Sequence, residues 1–215
     1  MSATPDDRNA ATTKIDVVIA AFIERGGEQE ATELRTTGAA GLRRVLDLWF
    51  GREQSSSSPI PALPGRELVD RWTACLALLA PTAPEIFVDT LVGRRLGTVE
   101  LGVLGACQTP GATRLLCEHV GDPDWLIRYN AVRSLIRIDD AAGKECITAA
   151  LADDNLVVRS LAIKGVSRWD PVRAIGLYEA MLEASDLTPL GRQQAVAAIE
   201  QLRSGREVRD AMDPI

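Results

Sequence analysis

The sequence predicts an all-α chain of stacked antiparallel helix pairs. Apolar residues recur at helical spacing through most of its 215 residues. The candidate core is Ala, Leu, Val and Ile with only 4% aromatics, which suits close helix packing better than strands. One short pattern also returns three times at nearly constant intervals, as in proteins built by repetition.

Residues 1–13 are polar and are expected to form a flexible tail. From Lys14 to Arg25 a helix is predicted, with Ile15, Val18, Ile19, Phe22 and Ile23 on one stripe and Gly26-Gly27 at its end. Glu28 to Thr37 and Ala39 to Phe50 follow as helices about Gly38, so 14–51 reads as an N-terminal helical part, either degenerate repeats or a cap. Ser55 to Ser58 with Pro59, Pro61 and Pro64 make 52–64 a loop. The repeat array is then expected over 65–204, with a tail at 205–215. Its first helix runs from Arg66 to Ala80, carries Leu68, Trp72, Cys75, Leu76 and Leu79 at core spacing, and stops at Pro81. Glu85 to Leu96 and Thr98 to Cys107 continue the series until Pro110-Gly111 interrupts it.

Beyond that point the chain aligns with itself. Asp122, Arg128, Ala131 and Leu135 recur 31 residues later as Asp153, Arg159, Ala162 and Val166, and 33 further on as Asp186, Arg192, Ala195 and Ile199. The Ala and the aliphatic share one helix face, where Ala permits close approach of a neighbour. The Asp falls in the turn before the helix, where it can cap free N–H groups or pair with an Arg of its own or a neighbouring repeat. Asp122, Arg128, Asp153, Arg159, Asp186 and Arg192 are therefore expected to form an Asp–Arg ladder. Shorter leading helices are predicted at Ala112 to Val120, Ala142 to Ala152 and Val172 to Ala184.

The pattern Asp122-x-x-Trp125-x-x-Arg128-x-x-Ala131-x-x-x-Leu135 resembles the HEAT repeats of the bilin-lyase-like class, clearly over 111–203. The resemblance implies a right-handed α-solenoid whose second helices line a concave, partner-binding face. On those helices Trp125, Tyr129, Arg133 and Arg137 leave the core side, and Lys164 and Arg168 repeat the cations. This basic, partly aromatic patch is the candidate partner-binding set, set against the plainer reading that its cations solvate a surface and pair with Asp139, Asp140 and Asp170.

Other classes find less support. A net charge of −6 disfavours unspecific attraction to nucleic acid, and no apolar run is long enough to span a membrane. Cys75, Cys107, Cys117 and Cys146 form no C-x-x-C pair and are expected to be reduced core thiols in a cytoplasmic protein. Cys117-Glu118-His119 holds the only His, too few ligands for a metal, so no metal or cofactor is expected. Nucleotide-binding and nucleophile-elbow motifs are missing, and Asp139-Asp140 and Asp153-Asp154 suit turns better than acid–base work. The expectation is a non-catalytic adaptor or regulatory module gripping an acidic protein, of which an inhibitor or immunity-type protein is a special form. Two alternatives stay open. One is a nucleic-acid binder of the DNA-glycosylase type, for which Trp125, Tyr129, Arg133, Arg168, Trp169 and Asp170 supply the residue types. The other is a chaperone or lyase for a prosthetic group.

Overall fold

The computed structural model describes residues 5–51, 65–183 and 187–208. Among these the regular structure is helical: α1 (Pro5–Arg25), α2 (Glu28–Thr36), α3 (Gly38–Trp49), α4 (Gly65–Leu79), α5 (Pro84–Leu91), α6 (Thr98–Cys107), α7 (Pro110–Glu118), α8 (Trp125–Ile138), α9 (Ala141–Ala149), α10 (Leu156–Ser167), α11 (Pro171–Leu182) and α12 (Pro189–Arg203). Short 3₁₀ turns follow α4 and α9. The expected loop at 52–64, Asp186 and the end of the C-terminal tail lie outside the described residues.

Two compact units divide the chain, Met1–Leu115 and Leu116–Ile215, so the border falls inside the expected array rather than at the Ser/Pro segment. In the first unit α1 packs on α2, α3 and α4, α3 on α4 and α5, and α4 on α6. The apolar stripes dictate this. Ile19, Phe22, Ile23, Leu42, Val45, Cys75, Leu76 and Leu79 are buried together with Phe87 and Leu91. Polar ties reinforce the packing across long sequence separations. Arg44 makes a two-pronged bond to the buried Asp16, at 2.6 and 2.9 Å. Trp49 Nε1 donates to Glu100 Oε1 at 2.8 Å, while the other oxygen accepts the Gly97 N–H that opens α6. The Trp49–Glu100 bond and the packing of α1, α2 and α3 on α4 join 14–51 to the helices after 65, so the two stretches share one core.

Some boundaries differ from expectation for local reasons. α1 starts at Pro5, so the expected flexible tail is helical from there; proline is at home in a first turn, and Ala10 and Ala11 favour helix. α5 ends at Leu91, five residues early, because Gly93 turns left-handed at φ 72°. Pro110 begins α7 rather than breaking the chain.

The second unit is a succession of pairs in which each helix meets its sequence neighbours: α8 packs on α9 and α10, α10 on α9 and α11, and α11 on α12. Ile127, Ala131 and Leu135 of α8 are buried, as are Val158, Ala162 and Val166 of α10 and Ala195, Ile199 and Leu202 of α12. Helices approach closely at Gly165, where a Cβ would stand 2.9 Å from Ile147 Cγ2 and 3.0 Å from Ile136 Cγ1. Val208, assigned to the tail, returns to this core.

Candidate functional site

The turns before α8 and α10 fix the geometry of the repeat. Asp122 and Asp153 stand two residues ahead of the caps and each accepts the cap residue's N–H, from Asp124 and Asn155 respectively, at 2.8 Å. The caps themselves are Asp124, Asn155 and Thr188, which accept from the N–H of Leu126, Val157 and Gly191 at 2.9, 2.9 and 3.1 Å. Capping therefore belongs two positions after the ladder Asp, a correction to the sequence reading. The ladder Asp instead orients the cap.

Arg128 closes the rung. Its Nη1 donates to its own repeat's carbonyls at Asp122 and Pro123, at 2.9 and 3.3 Å, while Nε and Nη2 reach the Asp153 carboxylate of the next repeat at 2.7 and 2.8 Å. Nη2 also meets Asp154. The Arg128 side chain is 11% exposed and that of Asp153 5%. Burial works against the Asp153 charge, but the guanidinium and the Asn155 N–H outweigh it and hold the carboxyl below its usual range. The bond to Asp153 raises Arg128 in turn. Arg159 repeats the local half, its Nη1 donating to the Asp153 and Asp154 carbonyls at 2.7 and 3.0 Å. Arg192 departs from the pattern and donates to the Leu182 carbonyl at 2.8 Å.

The six residues expected to meet a partner fall into three groups. Trp125 is 43% exposed on the first turn of α8, and Arg133 and Arg137 are exposed further along that helix, ion-paired with no described residue. Tyr129 and Lys164 come together in the lining of a cleft of about 400 Å³, with Val157, Leu161, Tyr178 and Leu190 among its other walls. Arg168 is exposed but hooked to the stack, Nη1 donating to the Ile136 carbonyl at 3.3 Å. Among the neighbouring acids, Asp139 pairs with Lys144 at 3.2 Å, while Asp140 and Asp170 cap α9 and α11. Neither α8 nor α10 contains a carboxylate.

Trp169, grouped with those residues in the nucleic-acid alternative, packs against the core with Lys144 Nζ 5.4 Å from its ring centre. Asp170 accepts the Arg173 N–H at 3.0 Å as the cap of α11.

Sequence reasoning missed the apolar part of this face. Leu126, Val157 and Leu190 are 42, 49 and 63% exposed and stand at the same place in three repeats, two residues after each cap. The spacing of 31 and 33 that aligned the arginines contains them.

The expectation of four reduced thiols is half corrected. Cys117 and Cys146 form a disulfide between α7 and α9, the leading helices of successive repeats, whose Cα atoms lie 5.8 Å apart. Stacking supplies the proximity that no local cysteine spacing announces. The bridge also removes Cys117 from any metal set with His119. Cys75 and Cys107 are buried free thiols, each pushed up to about 12 by burial. Among the described residues no group of three or more His, Cys, Asp or Glu is placed to hold a metal. No single described helix is long and apolar enough to cross a membrane.

A helix-pair stack with aligned turn residues and a solvent-facing second helix defines the class of α-helical repeat proteins. Residues 101–167 match the family model described as HEAT repeats. Such repeats generally serve as protein-interaction scaffolds. No curated protein matches the chain.

Proposed function

We propose that this protein is a non-catalytic binding module, an adaptor or regulator, that holds an acidic protein against the free side of α8 and α10. The observation that carries the reading is charge segregation. On a chain of net charge −6, these two helices hold no carboxylate while Arg133, Arg137, Lys164 and Arg168 leave them at matching repeat positions. Several such cations together attract an acidic surface that one alone would not hold, and they act most on the rate of encounter. Asp124, Asp140 and Asp170 instead serve the turns of this unit as caps, and Asp153 and Asp154 take part in the Arg128 rung.

An inhibitor or immunity-type protein is one form of the same function, since blocking an acidic surface needs only the grip. The test is capture of the natural partner from lysate by wild type and by an Arg133→Glu, Arg137→Glu, Lys164→Glu variant. Arg168 stays unchanged there because it also bonds the Ile136 carbonyl. Loss of capture with an unchanged helical spectrum supports the reading. Undiminished capture by the variant removes it.

A further inference from the structure

We infer that the partner's contacting segment is an amphipathic helix that lies across α8, α10 and α12, with its apolar stripe on Leu126, Val157 and Leu190 and its acidic flank toward Arg133 and Lys164. This rests on the proposed acidic-partner reading and specifies the partner's shape and chemistry.

Exposed aliphatics scattered singly need no explanation, but three at one repeat position are a track. Asp124, Asn155 and Thr188 are each extended caps, the first two bonding the N–H two residues on and Thr188 the one three on, so each track residue leaves the second position of its helix. Trp125 widens the track at the α8 end. Val157 and Leu190 also border the cleft, whose Leu161, Tyr178 and Met181 walls offer an apolar floor. A volume of about 400 Å³ falls within the range of pockets that take specific apolar groups.

The edges of the track differ in charge. Toward the helix bodies stand Arg133 and Lys164, and the helices that carry them hold no acid. Toward the turns stand Asp124 and the exposed carboxylate of Asp154. A complementary segment therefore carries its acids on one flank, with neutral or basic residues on the other.

The backbone chooses helix over extended strand. An extended segment pairs its main chain most fully at a sheet edge, and the described residues of this surface form none, so its peptide groups would depend on scattered side chains and water. A helix satisfies its own. Neighbouring packed helices lie about 8–10 Å apart, and at 1.5 Å per residue a partner helix advances about 10 Å in seven residues. An apolar residue every seven positions thus steps from Leu126 of α8 to Val157 of α10, which pack on one another, and the apolar residues beyond it meet the cleft that Val157 and Leu190 border.

The probe is a fluorescein-labelled synthetic peptide about three heptads long, with Leu at heptad spacing, Glu on one flank and Gln on the other. Its twins replace Leu by Ser, or Glu by Lys. Fluorescence anisotropy is read on the wild-type chain, on Val157→Glu/Leu190→Glu and on Arg133→Glu/Lys164→Glu. The track substitutions fall on exposed side chains, and circular dichroism confirms that the helices persist. The expected result is saturable binding of the Leu/Glu peptide to wild type, weakened about tenfold or more by either double variant, and no binding of either twin. Failure of wild type to bind the peptide overturns the inference, as does equal binding by the track variant or by the Ser twin. If partner capture still depends on the cations in those cases, the basic-face reading survives alone. If the track variant loses the peptide while the cation variant keeps it, the acidic-partner reading fails, and the acidic flank proposed here fails with it.

Discussion

Arg128 and Arg133 leave the same helix with the same charge into opposite surroundings. Removing Arg128 strips the guanidinium from an Asp153 carboxylate that is 5% exposed, and stranding a buried charge costs about 3 kcal/mol or more. Removing Arg133, which pairs with no described residue, costs under about 0.5 kcal/mol. Urea unfolding of Arg128→Ala and Arg133→Ala should therefore give well-separated midpoints, and coincident ones would disprove the register of the rung. The sequence pointed to this Asp–Arg spacing but not to which half of each pair crosses between repeats. That depends on how the turns stack, and no single repeat encodes it. Acid dependence follows from the same pair. Asp153 ionises more readily folded than unfolded, so its stabilising contribution is complete above the ordinary aspartate value of about 3.9 and is lost as pH falls through the lowered folded value. Asp153→Asn should flatten that part of the acid-unfolding curve, measured by circular dichroism against wild type. An unaltered acid limb would mean that the carboxylate is not held charged by Arg128.

Helices were the most legible level, because a 3.6-residue period needs only neighbours in sequence. The α4 stripe and the limits of α6 follow from apolar spacing alone, and the Ala of each repeat marks the buried face. What the helices do to one another was less legible. The Cys117–Cys146 bridge joins α7 to α9 across 29 residues, nearly one repeat, and appears only when two leading helices are laid side by side. In the chain-entropy account a loop of that length stabilises the fold by about 3 to 4 kcal/mol. A Cys117→Ser/Cys146→Ser variant should melt lower than wild type and ignore dithiothreitol, while wild type falls toward it when reduced. A wild type indifferent to reduction would argue that the bridge carries no stability. Gly165 is a second such feature. It is read as a weak spot in a helix by propensity, yet it lets α10 lie against Ile136 and Ile147. Gly165→Ala should cost about 1 to 3 kcal/mol by overpacking, despite the better helix propensity of Ala, and a gain in melting temperature would refute the close approach.

At the scale of the whole molecule the decisive quantity is where charge of each sign is kept. Net charge −6 describes the average seen from a distance, whereas a partner within a Debye length of about 8 to 10 Å meets the local cations of α8 and α10. Sequence periodicity brought those cations into register, and the clearing of carboxylates from the same helices became meaningful only when the turns were seen to use the acids as caps and rung partners. The exposed aliphatics were overlooked because a single Leu or Val beside a cap carries no signal until three are superimposed. Protein and nucleic acid make different demands on this surface. Duplex DNA extends far beyond the patch, so its phosphates also feel the repulsion of an acidic chain, while a compact acidic protein segment engages the patch alone. Unspecific DNA binding should therefore be undetectable at physiological salt in an anisotropy titration with a labelled random duplex. Four phosphate contacts through Arg133, Arg137, Lys164 and Arg168 would instead give measurable binding at low salt, with log affinity falling against log salt at a slope of about −3.6. Such a slope, abolished by reversing Arg133, Arg137 and Lys164, would replace the protein-binding reading with a nucleic-acid one. Its absence, together with loss of partner capture by the same variant, would leave an acidic protein as the ligand these helices are charged to hold.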